Sequence, residues 1–146
     1  MNVLKLASGR EIPYLTEVEI RIGIDENDGE QKYGKELENV QKSDIDVHKY
    51  EGGFKIWECT LDLCDFIEEN ASKFADKSIL ELGCGAAIPS ILAAIHGAQE
   101  VFAQDFNASV IEFFTLPNFE ANDIEKRKIR GEAMSWDDVP RRMNGK

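Results

Sequence analysis

The stretch Ser78-Ile79-Leu80-Glu81-Leu82-Gly83-Cys84-Gly85-Ala86-Ala87-Ile88-Pro89-Ser90 constrains this chain more than any other. Ser78 to Leu82 has the length and apolarity of a buried strand, and Gly83 and Gly85 follow it at once. Pro89 falls in what the pattern makes the first turn of a helix, where its missing N–H costs nothing. The helix body is Ser90 to Ile95, and Gly97 stands just past it, where a helix end takes up positive φ. Strand, glycine turn and helix in this order is the nucleotide-cofactor geometry of open α/β sheets. Ligands there lie outside the carboxyl end of the strand, and glycine lets them approach the backbone.

The turn reads Glu-x-Gly-x-Gly, not Gly-x-Gly-x-x-Gly: the third glycine position of a dinucleotide fingerprint is Ile88. A pyrophosphate at this helix start would lie beside the Glu81 carboxylate. Two unit charges about 4 Å apart repel by roughly 1 to 4 kcal/mol, depending on the local dielectric. A cationic, phosphate-free cofactor meets no such repulsion, and S-adenosylmethionine, with its sulfonium and ammonium, fits. Val101 to Asp105 reads as a second apolar strand ending in an acid. Asp105 lies 24 positions after Glu81, near the ~20-residue spacing at which an acid reaches a ribose hydroxyl.

With 146 residues and 42% hydrophobic content, the chain is long enough for one domain with a real core. No apolar run reaches the ~18 residues of a membrane span, and the start lacks a basic-then-apolar signal. Cys59, Cys64 and Cys84 are odd in number without a Cys-x-x-Cys pair, and His48 and His96 stand alone. Neither a disulfide framework nor a metal site is expected, which points to a reducing compartment, the cytoplasm. The net charge of −11 is uneven. Residues 1–53 carry 7 basic and 12 acidic side chains, residues 54–125 carry 3 and 13, and residues 126–146 carry 7 and 3. So acidic a cofactor-bearing region argues against direct nucleic-acid binding and would suit a basic protein substrate, though acid kept for solubility gives the same balance.

In chain order, Val3–Leu6 and Ile12–Leu15 flank Ser8-Gly9 as a hairpin. Val18, Ile20, Ile22 and Ile24 alternate with polar residues or glycine, the period of a strand with one wet face. From about Asp25 to Asp46 the chain is polar and acidic and reads as a linker. Beyond Tyr50-Glu51-Gly52-Gly53, Ile56 to Ile67 reads as an amphipathic helix with Trp57, Leu61, Cys64 and Ile67 on one stripe. Asn107 is placed to cap a helix through Val110, Ile111 and Phe114, which Pro117 is expected to interrupt. Lys128 to Met134 reads as a third strand ending at Ser135-Trp136, and the Lys126–Arg130 basic cluster as its solvated start.

Two separate stretches resemble a known family. Tyr50-Glu51-Gly52-Gly53-Phe54-Lys55-Ile56-Trp57-Glu58-Cys59-Thr60 is similar to the segment before the cofactor strand in protein-histidine N-methyltransferases of the seven-strand class. Gln104-Asp105-Phe106-Asn107, followed by Thr115-Leu116-Pro117-Asn118, resembles that family's second-strand end and the helix after it. The likeness spans roughly residues 43–136, with Ala87 standing where the family usually has a third glycine.

The resemblance implies an α/β, Rossmann-like seven-strand methyltransferase fold, truncated after about the third sheet strand, with an N-terminal strand/loop extension. Residues 1–49 would be the extension and acidic linker, and residues 50–146 the cofactor-binding N-terminal half of the domain. It implies methyl transfer from S-adenosylmethionine to a histidine nitrogen of a large-subunit ribosomal protein, in the cytoplasm and also the nucleus. By position, Ile56, Trp57, Glu58, Cys59 and Thr60 would line the cofactor, and Glu81, Gly83 and Gly85 would flank its methionine part. Asp105 would take the ribose hydroxyls with Gln104 and Phe106 near the adenosine, and Ser135 and Trp136 would approach the adenine. Cys59 and Cys84 are expected to pack rather than react, and no catalytic side chain is singled out. The expectation for this chain alone is weak or no turnover and an unpaired apolar edge at Ile79–Leu82. Open alternatives are a lysine or small-molecule methyltransferase, a nicotinamide-dependent oxidoreductase, or a non-catalytic binding module.

Overall fold

The computed structural model describes residues 1–42 and 54–144. The first hairpin forms as the sequence predicts: β1 (Asn2–Lys5) and β2 (Glu11–Tyr14) pair antiparallel, with Leu4 opposite Ile12. The next element corrects the sequence reading. Val18 to Ile24 lies not in a strand but in helix α1 (Glu17–Glu26). The alternation hides an i,i+4 pair: Ile20 and Ile24 are buried, while Val18 and Ile22 face solvent. The deciding signal is Thr16-x-x-Glu19, a capping box in which each side chain satisfies the other residue's backbone N–H.

The expected linker is also corrected over most of its length, because Gly29–Lys42 forms helix α2, kinked where Tyr33 leaves helical backbone angles. A narrow apolar stripe packs this polar helix, and its polar side chains bond it to Ser109 and Glu112. Leu37 is buried, and Tyr33 meets Phe113 edge-on at 5.9 Å between ring centroids. The rest of that linker and the Tyr50–Gly53 boundary lie outside the described residues.

Helix α3 (Glu58–Glu69) follows, with Cys64 and Ile67 buried as the stripe requires, but with Trp57 and Leu61 exposed at its start. Then come β3 (Ser78–Leu82), α4 (Ile88–Ile95) and β4 (Glu100–Asp105). β5 (Ile129–Ala133) completes a parallel sheet of order β3-β4-β5. Leu82 lies opposite Gln104, and Asp105 opposite Ala133, so the carboxyl ends of all three strands share one rim. Among the described strands β3 pairs only with β4, and Leu80 and Leu82 are exposed at this edge.

Between β4 and β5, Pro117 does not interrupt the helix as expected. The chain runs from α5 (Ala108–Val110) through a π-helical turn (Ile111–Thr115) into α6 (Leu116–Ala121). Leu116 N–H donates five residues back to the Ile111 carbonyl, and this wider turn carries the helix past the proline, whose ring would crowd an ordinary one. A final short helix, α7 (Val139–Met143), buries Val139 and ties back to β5 through an ion pair between Arg142 and Glu132. Leu6, Ile12, Ile20, Ile24 and Leu37 belong to one hydrophobic cluster with Ile91, Leu92, Val101, Ala103, Phe114 and Phe119. The hairpin and the two helices after it thus share the core of the sheet layer.

Candidate functional site

The rim of the sheet opens into a cleft of about 230 Å³ between the glycine turn and the start of α3. β3 ends at Glu81-Leu82, and the chain then turns through Gly83 (φ 63°) and Gly85 (φ 48°), backbone that side chains rarely adopt. The turn closes on Ala87 (φ 57°), fully buried and the residue from which α4 begins. The Glu81 carboxylate accepts from the Ser90 N–H at 3.0 Å, satisfying one of the free donors of that helix start. Low-dielectric surroundings push the Glu81 carboxyl up to about 7, with hydrogen bonds from Ser90 opposing and the Asp105 charge adding to the rise.

Asp105 closes β4, is buried, and faces the turn. One carboxylate oxygen accepts from Gly85 N–H at 3.0 Å and the other from Asn107 N–H at 3.2 Å. Gln104, also buried, accepts from Gly83 N–H and donates to the Met134 carbonyl, so it fastens the turn to the end of β5. Burial, above all, holds the Cys84 thiol well above its ordinary range, with the Asp105 charge next, so the thiol stays protonated at neutral pH.

Of the residues singled out in the sequence, Ile56, Trp57, Cys59, Thr60, Glu81, Gly83, Gly85 and Asp105 line this cleft. Glu58, Gln104, Phe106, Ser135 and Trp136 do not. Gln104 ties backbone together, Ser135 accepts from Asp137 N–H at the start of a 3₁₀ turn, and Trp136 stands exposed beside the turn at Gly83. Lys55, Leu63 and Pro89 line the cleft without having been singled out. Leu63 lies four positions after Cys59, so helical spacing alone carries its signal. Among the described residues, no three of His, Cys, Asp and Glu gather as a metal would need, and no helix is long and apolar enough to cross a membrane.

Residues 39–146 match the family described as Lysine methyltransferase. The chain belongs to this methyltransferase family. The cofactor of such enzymes is S-adenosylmethionine. Its relatives include the Histidine protein methyltransferase 1 homolog of Bos taurus, 49% identical over 80 residues, or 55% of this chain. The homolog of the same name in Dictyostelium discoideum is 38% identical over 91 residues, or 61% of this chain. These matches span 21% and 29% of the relatives' own lengths. A protein from Streptococcus mutans described as a sam-dependent methyltransferase shares the fold, with a TM-score of 0.54 at 23% identity, over 62% of this chain and 23% of its own.

Proposed function

We propose that the cleft at the sheet rim holds S-adenosylmethionine, and that the methyltransferase to which this chain contributes modifies a histidine ring nitrogen of a protein. The observation that carries this reading is Glu81, a carboxyl whose partner is a backbone N–H and which its surroundings hold near neutrality, beside a turn of positive-φ glycines. A cation in the cleft relieves such a carboxylate, and a pyrophosphate aggravates it. The residues present fit the cofactor. Gly83 and Gly85 leave the turn beside Glu81 free of side chains, and the exposed Trp136 ring stands next to Gly83. Glu81, Gly83 and Gly85 would flank the methionine part, Asp105 the ribose hydroxyls, and Trp136 would close over the adenine, with Ile56, Trp57, Cys59 and Thr60 as the opposite wall.

When bound, the cofactor supplies an electrophilic methyl group on a positively charged sulfur. This chain's residues bind and orient it: Asp105 arrives pre-aimed by the Gly85 and Asn107 N–H groups, and the turn is fixed through Gln104. No strong base is needed for a histidine acceptor, because an imidazole with an ordinary pKa of about 6.5 is mostly neutral at pH 7. Catalysis then rests on holding nitrogen, methyl carbon and sulfur in line.

The names of the relatives support histidine as acceptor, and the resemblance of the Glu51–Thr60 run points the same way. A basic protein of the large ribosomal subunit, met in the cytoplasm or the nucleus, suits the acidic excess of residues 54–125, which carry 13 acidic and 3 basic side chains. Lysine is the second reading, favoured by the description of the matched family. Calorimetry with S-adenosylhomocysteine and with NAD tests the cofactor. Labelled transfer to matched histidine and lysine peptides of a ribosomal protein tests the acceptor. Tight NAD uptake with indifference to S-adenosylhomocysteine would end the reading, and labelled lysine alone would replace the acceptor.

A further inference from the structure

The helix from Ala108 to Ala121 is gripped on one side by residues 1–42 and on the other side holds the glycine turn. Ser109 donates its N–H and hydroxyl to Glu36, and Glu112 accepts from Lys32 and Tyr33. Further along, Asn118 accepts from Leu15 N–H at 2.8 Å, and Asn122 donates to the Pro13 carbonyl at 2.8 Å. From the same helix Thr115 donates to the Gly85 carbonyl at 2.6 Å, and Asn118 donates to the Ala86 carbonyl at 3.3 Å.

Asn118 therefore belongs to both sets. It is fully buried, and its two partners fix the orientation of its amide: a backbone N–H on one side demands the oxygen, and a carbonyl on the other demands the NH₂. The Asn118 amide is itself shut off from water, so losing either bond leaves one of its buried polar atoms unpaired at a cost. The carbonyl it grips precedes Ala87, a non-glycine residue in left-handed backbone, where an external hold matters most.

We propose that Asn118 is a positioning residue for the cofactor turn, through which the strand end at Leu15 steadies Gly85-Ala86-Ala87. The proposal rests on the reading of the cleft as an S-adenosylmethionine site. Coupling through one rigid amide is reciprocal: if Leu15 steadies the turn, a ligand that orders the turn must steady Leu15.

The test uses the full chain and S-adenosylhomocysteine as the probe, with residue-resolved hydrogen exchange and calorimetry. Binding should slow exchange of the Leu15 N–H together with that of Ala87, although Leu15 lies outside the cleft lining. Asn118→Ala should weaken binding roughly three- to tenfold, the equivalent of one net hydrogen bond or a little more. Asn122→Ala, which frees the Pro13 and Asn118 main-chain carbonyls but leaves both side-chain bonds of Asn118 and the turn in place, should change affinity less than about twofold at a similar loss of stability. Binding that protects Ala87 and leaves Leu15 unchanged overturns the inference alone, a result available even if Asn118→Ala does not fold. Equal loss of affinity in the two variants also overturns it. Failure of the wild-type chain to bind the probe overturns the reading of the cleft and this inference with it.

Discussion

Replacing Glu81 by Gln isolates the charge on which the cofactor reading depends. The carboxyl stands at about 7 in the folded chain, against an ordinary value of 4.5. At about 1.4 kcal/mol per pH unit, its ionised form costs the fold about 3 kcal/mol. The sign follows from which state binds the proton. Between pH 4.5 and 7 the folded chain keeps a proton that the unfolded chain has released, so stability falls as pH rises through this window and levels off above it. Gln keeps an acceptor for the Ser90 N–H and, like the protonated acid, carries no charge, while the Ser90 bonds are already counted in the value of about 7.

The Glu81→Gln variant should therefore be about 3 kcal/mol more stable than the wild type at pH 8 in urea titrations, with the gain vanishing toward about pH 4. Cofactor affinity should move the other way. At pH 6, one unit below its folded value, only about a tenth of Glu81 is ionised. Wild-type affinity for S-adenosylmethionine should then be about tenfold lower at pH 6 than at pH 8, with proton release on binding visible calorimetrically. The Gln variant should bind weakly and without this pH dependence, and the neutral sulfur of S-adenosylhomocysteine should soften the contrast. Unchanged stability, or full S-adenosylmethionine affinity at pH 8 in the variant, would refute the electrostatic argument.

Acid should act through a different group. Glu68 is opposed by burial, yet hydrogen bonds from His96, Arg10 and Ser8 hold its carboxyl below the ordinary range. Its contribution is present above about pH 4.5 and is lost as pH falls through the lowered value, so Glu68→Ala should flatten the acid limb of the stability profile and cost about 1.5–3 kcal/mol near neutrality, read in urea. Thr16→Ala removes one half of the capping box of α1 and should cost about 1 kcal/mol by the same titration; no change would mean that packing of Ile20 and Ile24 alone holds the helix. Trp136→Ala should leave stability within about 0.5 kcal/mol, because the ring is 65% exposed, yet weaken S-adenosylhomocysteine binding by at least about 1 kcal/mol if the ring stacks on adenine.

What the sequence made legible was local. The strand, glycine turn and helix from Ser78 to Gly97 could be read because each signal lies within a few residues of the next, and backbone geometry there follows from glycine, proline and apolar period. Period failed at Val18–Ile24 because alternation at every second position also contains every i,i+4 pair; only the cap at Thr16 separates the two readings. Composition failed at α2, whose polar surface hides the fact that Leu37 and Tyr33 pack it while Lys32, Tyr33 and Glu36 bond it to Glu112 and Ser109. The site divides the same way. Glu81 and Asp105 end strands and were visible as such, whereas Glu36 on Ser109 and Asn118 on Leu15 act across 73 and 103 residues of sequence. The Leu-Pro-Asn run could be matched as a motif, but its chemistry depends on what folding brings to both sides of one amide. A motif residue whose two hydrogen bonds face different parts of the chain can be understood only when both are in place. Mutational effects at Asn118 are accordingly expected to track the N-terminal hairpin and the cofactor turn together.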